Sequence, residues 1–132
     1  MKKNRYGFIV LIVVTAFLIF LFSTKQNYQM YIGCTGIFPE NGIDVVLRIN
    51  EKIVFEDTIN YHSFNYSEVN VRLRPGFNRV EVISNGAQIK KEYKIFLLLF
   101  QHIIIEFYPP TEFIREHPEI TIRTSFNPFY YQ

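Results

Sequence analysis

"VNVRLRPGFNRVEVISNG" (residues 69–86) decides how this chain folds. Val69, Val71 and Leu73 alternate with Asn70, Arg72 and Arg74. That period of two lays one row of side chains on each face of a β-strand. Pro75 presets its φ and Gly76 tolerates positive φ, the pairing of a type II turn, so the strand breaks there. Val80 and Val82 resume the apolar row, with Arg79 and Glu81 facing the other way. Asn85-Gly86 is the strongest short hairpin signal and ends the second strand. Arg72, Arg74 and Arg79 then share a local cationic patch that Glu81 can offset, a candidate interaction surface. The plainer account of the patch is a solvated strand face, because like charges on exposed edges discourage aggregation.

The same pattern extends outward. Ile43, Val45, Leu47 and Ile49 alternate with polar or smaller residues, and Asn50-Glu51 reverses the chain into residues 53–57. Residues 60–67, NYHSFNYS, are polar and aromatic and read as loop. Residues 94–108, KIFLLLFQHIIIEFY, form a long apolar run divided by Gln101 and His102. Each half is too short to cross a bilayer, so two strands meeting there are expected, covered on both faces. Pro109-Pro110 ends the run, since neither residue donates a ladder hydrogen bond. Residues 119–125, EITIRTS, alternate once more and make a last strand. About seven short strands with Gly, Pro and Asn turns predict an all-β fold, a small antiparallel β-sandwich.

The order of strands and turns over residues 43–108 resembles bacterial PEGA-type and carboxypeptidase-regulatory-like β-sandwich modules. Leu73, Pro75, Gly76, Val80, Val82 and Gly86 carry the likeness, while Asn50-Glu51 stands where those modules place a glycine. The resemblance implies a non-catalytic, extracytoplasmic accessory domain.

The N-terminus is of a different character. Lys2, Lys3 and Arg5 precede an uncharged run from Tyr6 to Thr24, and Lys25 follows it. Those 19 residues make a helix of about 28 Å, close to the roughly 30 Å hydrocarbon core of a bilayer. The run is apolar on every side, unlike a soluble amphipathic helix. Three cations before the span and one after it place the N-terminus in the cytoplasm and the rest of the chain outside. No small-x-small cleavage site follows, so the segment reads as an uncleaved signal-anchor rather than a removed signal peptide. The expected organisation is a cytoplasmic basic tip (1–5), a transmembrane helix (6–24), a linker (25–35) and an extracytoplasmic sandwich (36–132) that folds alone. Tyr28 and Tyr31, just outside the span, suit interfacial anchoring.

Charge narrows the function further. Three of the fourteen Lys and Arg residues lie in the basic tip, leaving eleven to face all twelve Asp and Glu residues in the body. Such a body offers no basic surface for nucleic acid. The single cysteine, Cys34, forms no intrachain disulfide, which suits a bacterial envelope protein. Gly33-Cys34 has the form of a lipobox end, but Tyr31 stands where leucine is usual; a partly buried free thiol is the simpler reading. His62, His102 and His117 show no metal-ligand spacing, and no nucleophile, phosphate or dinucleotide motif occurs. No cofactor and no enzymatic activity are expected. What remains is a protein-interaction or accessory module of a cell-envelope complex, with another envelope or membrane protein as its partner. The alternative is a glycan-binding module using Tyr61, Tyr66, Tyr130 and Tyr131, in a chain without the usual tryptophan platform.

Overall fold

The structure, a computed structural model, describes residues 3–34, 42–59, 66–108 and 117–128. Helix α1 (Lys3–Ser23) is followed by strands β1 (Gln26–Cys34), β2 (Ile43–Ile49), β3 (Lys52–Ile59), β4 (Ser67–Leu73), β5 (Gly76–Ser84), β6 (Ile89–Leu97), β7 (His102–Tyr108) and β8 (Glu119–Ser125). The strands form two four-stranded sheets, a first in the order β4-β1-β7-β8 and a second in the order β3-β2-β5-β6. The architecture is the β-sandwich expected, with eight strands among the described residues rather than about seven.

The alternating rows meet between the sheets. Val45, Leu47, Val80 and Val82 from the second sheet face Met30, Ile32, Ile103 and Ile105 from the first, and all eight are fully buried. The sides of the sandwich close where β6 meets β8 and β3 meets β4. Tyr93 on β6 fastens one side by donating its hydroxyl to the Ile120 carbonyl of β8 at 2.8 Å.

Residues 25–35 are not a linker. All but the two ends of that stretch form β1, whose Tyr28, Met30, Tyr31, Ile32 and Cys34 are buried. The polar letters in QNYQMYIGC hid a strand whose amphipathic residues are inside. Tyr28 and Tyr31 are therefore not interfacial anchors; they are 1% and 6% exposed. β1 also makes the sheet mixed rather than antiparallel. It pairs antiparallel with β4 (Gln26 opposite Leu73) and parallel with β7 (Met30 opposite Ile103). A parallel neighbour requires a long crossover, and residues 35–101 supply it by building the second sheet and β4 on the way.

The turns differ from expectation in instructive ways. Pro75-Gly76 does not join paired strands; it is a corner between sheets, with β4 in the first and β5 in the second. Gly76 has φ of 104°, as the turn chemistry required. The corner is held by Asn78, only 3% exposed, whose amide donates to the Arg74 and Gly76 carbonyls at 3.0 and 3.1 Å. Likewise the two strands of the apolar run 94–108 meet as expected but do not pair with each other. They are β6 and β7, in different sheets, joined through residues 98–101. Asn85-Gly86 opens a four-residue loop, not a two-residue turn: Gln88 donates its amide to the Asn85 carbonyl at 3.2 Å and takes positive φ, 53°.

The β2–β3 hairpin is the tight one. Asn50 and Glu51 have φ of 49° and 70°, the positive pair that marks a type I′ turn. Asn50 suits it and is held further, its Oδ1 accepting from the Arg79 amide at 3.0 Å. Glu51 has a side chain that strains there. Glu51→Gly is expected to raise stability by about 0.5–1 kcal/mol, whereas Gly76→Val, in open space but at positive φ, is expected to lower it by about 1–3 kcal/mol. Thermal melts of the two variants check both signs.

Among the described residues, no other element buries helix α1. The window Arg5–Ser23 is 19 residues long, apolar enough to cross a membrane, and buries none of its length within the protein. Only Thr24 and Lys25 separate it from β1.

Candidate functional site

The central strands of the first sheet are covered on both faces. Their inner residues fill the core; their outer residues, Tyr31 and Gly33 on β1 and Ile104 and Glu106 on β7, support a polar cluster. Gly33 lies opposite Glu106 in register. Its missing side chain matters, because a β-carbon built there would overlap Cε1 and Cδ1 of Tyr66. The Tyr66 ring thus lies on the glycine, a device that covers a strand glycine with an aromatic from a neighbouring segment.

From that seat Tyr66 donates its hydroxyl to Glu106 Oε1 at 3.1 Å, and Tyr108 donates to Oε2 at 3.1 Å. Arg123 Nε on β8 lies 3.7 Å from the same Oε2. The carboxylate is nearly buried, 14% exposed, so the phenols and guanidinium replace the water it gives up. Tyr31 meets the Tyr66 ring edge-on at 6.3 Å and lies 5.7 Å from the His102 ring. Burial pushes the Tyr66 phenol up, and the charge of Glu106 and its hydrogen bond push it the same way. Tyr66 therefore stays a donor at neutral pH rather than becoming a base. The arrangement exchanges hydrogen bonds and orients a charge.

Glu106 was legible as an oddity, being the one carboxylate in the run 94–108. A lone charge among apolar strand residues demands partners. Tyr108, two residues on, shares its face of the strand and is the one partner that spacing reveals. Tyr66, Arg123 and Gly33 come from elsewhere in the chain, and sequence spacing does not reveal them.

The residues proposed as a cationic patch are divided. Arg72 is on the outer side of β4, in the first sheet, and Arg74 is in the corner. Arg79 is on the outer side of β5, in the second sheet, where it meets Glu92 at 2.6 Å. Glu81 shares that outer face, engaged with Arg48 at 3.2 Å and Lys90 at 3.5 Å, so it offsets neither Arg72 nor Arg74. Tyr130, Tyr131, Tyr61 and His62 lie outside the described residues. Cys34 is a core residue, its Sγ donating to the Phe107 carbonyl at 3.0 Å. Among the described residues no group of three His, Cys, Asp or Glu side chains is placed to hold a metal ion.

At the end of the sandwich away from α1, Asp44 organises the 85–88 loop. Oδ2 accepts from the Asn85 amide at 2.8 Å, and Oδ1 from the Gly86 amide at 2.8 Å and from the Ser84 hydroxyl at 3.2 Å. Gly86 is needed here for proximity, since a β-carbon would stand 2.8 Å from Oδ1. Burial pushes the Asp44 carboxyl up, but the Gly86, Asn85 and Ser84 hydrogen bonds together outweigh it and hold the group below its usual range. A depressed pKa adds stability above the unfolded value, about 3.9, and that stability disappears as pH falls through the folded value. Asp44→Ala is expected to cost about 1–2 kcal/mol at pH 7, because water can reach the freed amides. The gap between variant and wild type should narrow as pH falls below about 4 in denaturant titrations; a gap independent of pH would contradict the role. No family model, curated protein or solved structure matches the chain, so the arrangement of its own residues is the guide to function.

Proposed function

We propose that the protein is a single-pass membrane protein that holds a non-catalytic β-sandwich outside the cytoplasm as an interaction module of a cell-envelope complex. One observation carries this reading: an apolar helix of membrane-spanning length, unburied by the protein, is fused through two residues to a central strand of the sandwich. Lys2, Lys3 and Arg5 ahead of the span and Lys25 behind it favour a cytoplasmic N-terminus. The likeness of residues 43–108 to PEGA-type accessory modules points the same way. The partner is another envelope or membrane protein, met on the outer face of the first sheet, where Glu106, Tyr108 and Arg123 offer fixed donors and acceptors. The glycan alternative has less support, since Tyr66 has its ring on Gly33 and its hydroxyl on Glu106.

Four measurements test this. In cells, the full chain should resist alkaline extraction from membranes, and protease added outside the cytoplasmic membrane should reach the sandwich. Release by alkali, or a mature chain beginning between residues 23 and 35, would overturn the anchor. A photo-crosslinking residue at Arg123 should capture one envelope protein reproducibly. Capture of glycan strands instead would favour the alternative.

A further inference from the structure

Strand register identifies which end of the sandwich lies next to α1. Gln26, the first residue of β1, is opposite Leu73, the last of β4; the corner then leads to Gly76, which is opposite Leu97, the last of β6. β7 runs parallel to β1, so residues 98–101 return to this same end, and β8 finishes here with Ser125 opposite His102. The helix junction, the 74–75 corner, the 98–101 connection and residues 126–128 therefore share one end.

The exposed apolar side chains of the sandwich are concentrated there. Among the described residues six large ones are exposed outside α1: Ile53, Phe77, Phe96, Leu98, Phe100 and Phe126. All but Ile53 are at the helix end. Phe100 is the most exposed, at 86%, and sits at positive φ, 64°, so the backbone accepts strain while presenting the ring to solvent. Phe77 and Phe96 pair edge-on at 4.9 Å, with Lys94 Nζ 4.7 Å above Phe77. Scattered exposed apolar residues are ordinary; a set gathered at one end is not.

Chain length decides what meets this end. From Ser23 to Gln26 is three residue steps, at most about 11 Å. The headgroup layer on each side of a bilayer is about 5–8 Å thick. A helix that spans the membrane thus brings this end of the sandwich against the headgroups. Lys25 and Arg74 are exposed at the same end and suit anionic lipid, while among the described residues the nearest carboxylate by register is that of Glu51 in the β2–β3 turn.

We propose that this end is a membrane-seating surface, in which Phe77, Phe96, Leu98, Phe100 and Phe126 enter the boundary between headgroups and acyl chains, with Lys25 and Arg74 on anionic headgroups. The sandwich is then held against the bilayer in one orientation rather than swinging on a tether. The inference rests on the reading of α1 as a membrane span.

The chain contains no tryptophan, so single reporters can be placed at will. The full-length variants Phe100→Trp, Phe77→Trp, Phe17→Trp and Lys91→Trp would be reconstituted in vesicles of phosphatidylcholine and phosphatidylglycerol, with or without bromine high on the acyl chains. The expected result is blue-shifted emission and loss of most intensity to brominated lipid at positions 100, 77 and 17, with position 91 unquenched. Quenching at 17 but not at 100 or 77 would overturn the seating surface and leave the anchor standing. No quenching anywhere would remove the anchor and the proposal with it. Quenching at 91 as strong as at 100 would mean that a different face lies on the membrane. A blue shift at 100 that depends on protein concentration without quenching would assign the surface to a second copy of the chain. Each of these four results contradicts the proposal.

Discussion

A chain beginning at residue 36 will not fold, whereas one beginning at Lys25 will. The difference is β1, an interior strand hydrogen-bonded on both edges, to β4 and to β7. Removing it takes Tyr28, Met30, Tyr31 and Ile32 from the interior, all 6% exposed or less. At about 1.5–3 kcal/mol for each such side chain, the loss is about 6–12 kcal/mol. That matches the entire stability of an ordinary domain, about 5–15 kcal/mol. The loss also leaves β4 and β7 with unpaired edges facing one another across an empty lane. Far-UV circular dichroism and thermal melts of the two fragments decide the matter. The shorter fragment should show no cooperative transition. A sheet spectrum with a sharp melt from residues 36–132 would mean that β1 is dispensable.

The second large effect is at Gly33. A methyl group there overlaps the Tyr66 ring, and the ring must leave its seat and its hydrogen bond to Glu106. Gly33→Ala is expected to cost about 2–3 kcal/mol, through overpacking and a weakened buried carboxylate. The cause is testable separately from the cost. In a Tyr66→Ala background the same substitution meets no ring, so Gly33→Ala should cost less than about 1 kcal/mol there. Equal costs in the two backgrounds would show that Gly33 is required for some reason other than Tyr66.

The parts of the fold visible in the sequence are those where one strand face is wet. β2, β4 and β5 alternate cleanly because their outer residues, such as Asp44, Arg72 and Arg79, meet solvent or surface partners. Alternation also gave the tight turn at Asn50-Glu51. It failed where both faces are covered. β1 has five consecutive buried residues at Met30–Cys34, two of them Gly33 and Cys34, so neither alternation nor a β-branched run marked it. Its polar first residues, Gln26 and Asn27, resembled the linker expected after an anchor. β3 was visible but its facing was not, because a bulge between Leu47 and Arg48 shifts its register.

Turn residues announced breaks in the chain but not their geometry. Pro-Gly marks a turn whether the next strand pairs with the last or crosses to the other sheet, and only the position of β1 determines that here. Most of the Glu106 cluster was invisible for a related reason: Gly33, Arg123 and Tyr66 are on β1, β8 and the segment before β4, which only the mixed first sheet brings to β7.

The apolar helix runs almost directly into an interior strand of the sandwich. Hydrogen exchange on the full chain in lipid nanodiscs, resolved across residues 17–36, reads out this junction. Exchange should be slow through α1, briefly faster at Thr24 and Lys25, and then as slow at the amides of residues 28–34 as at those of residues 103–107 in β7. Exchange across residues 26–34 at the rate of an unstructured linker would contradict it.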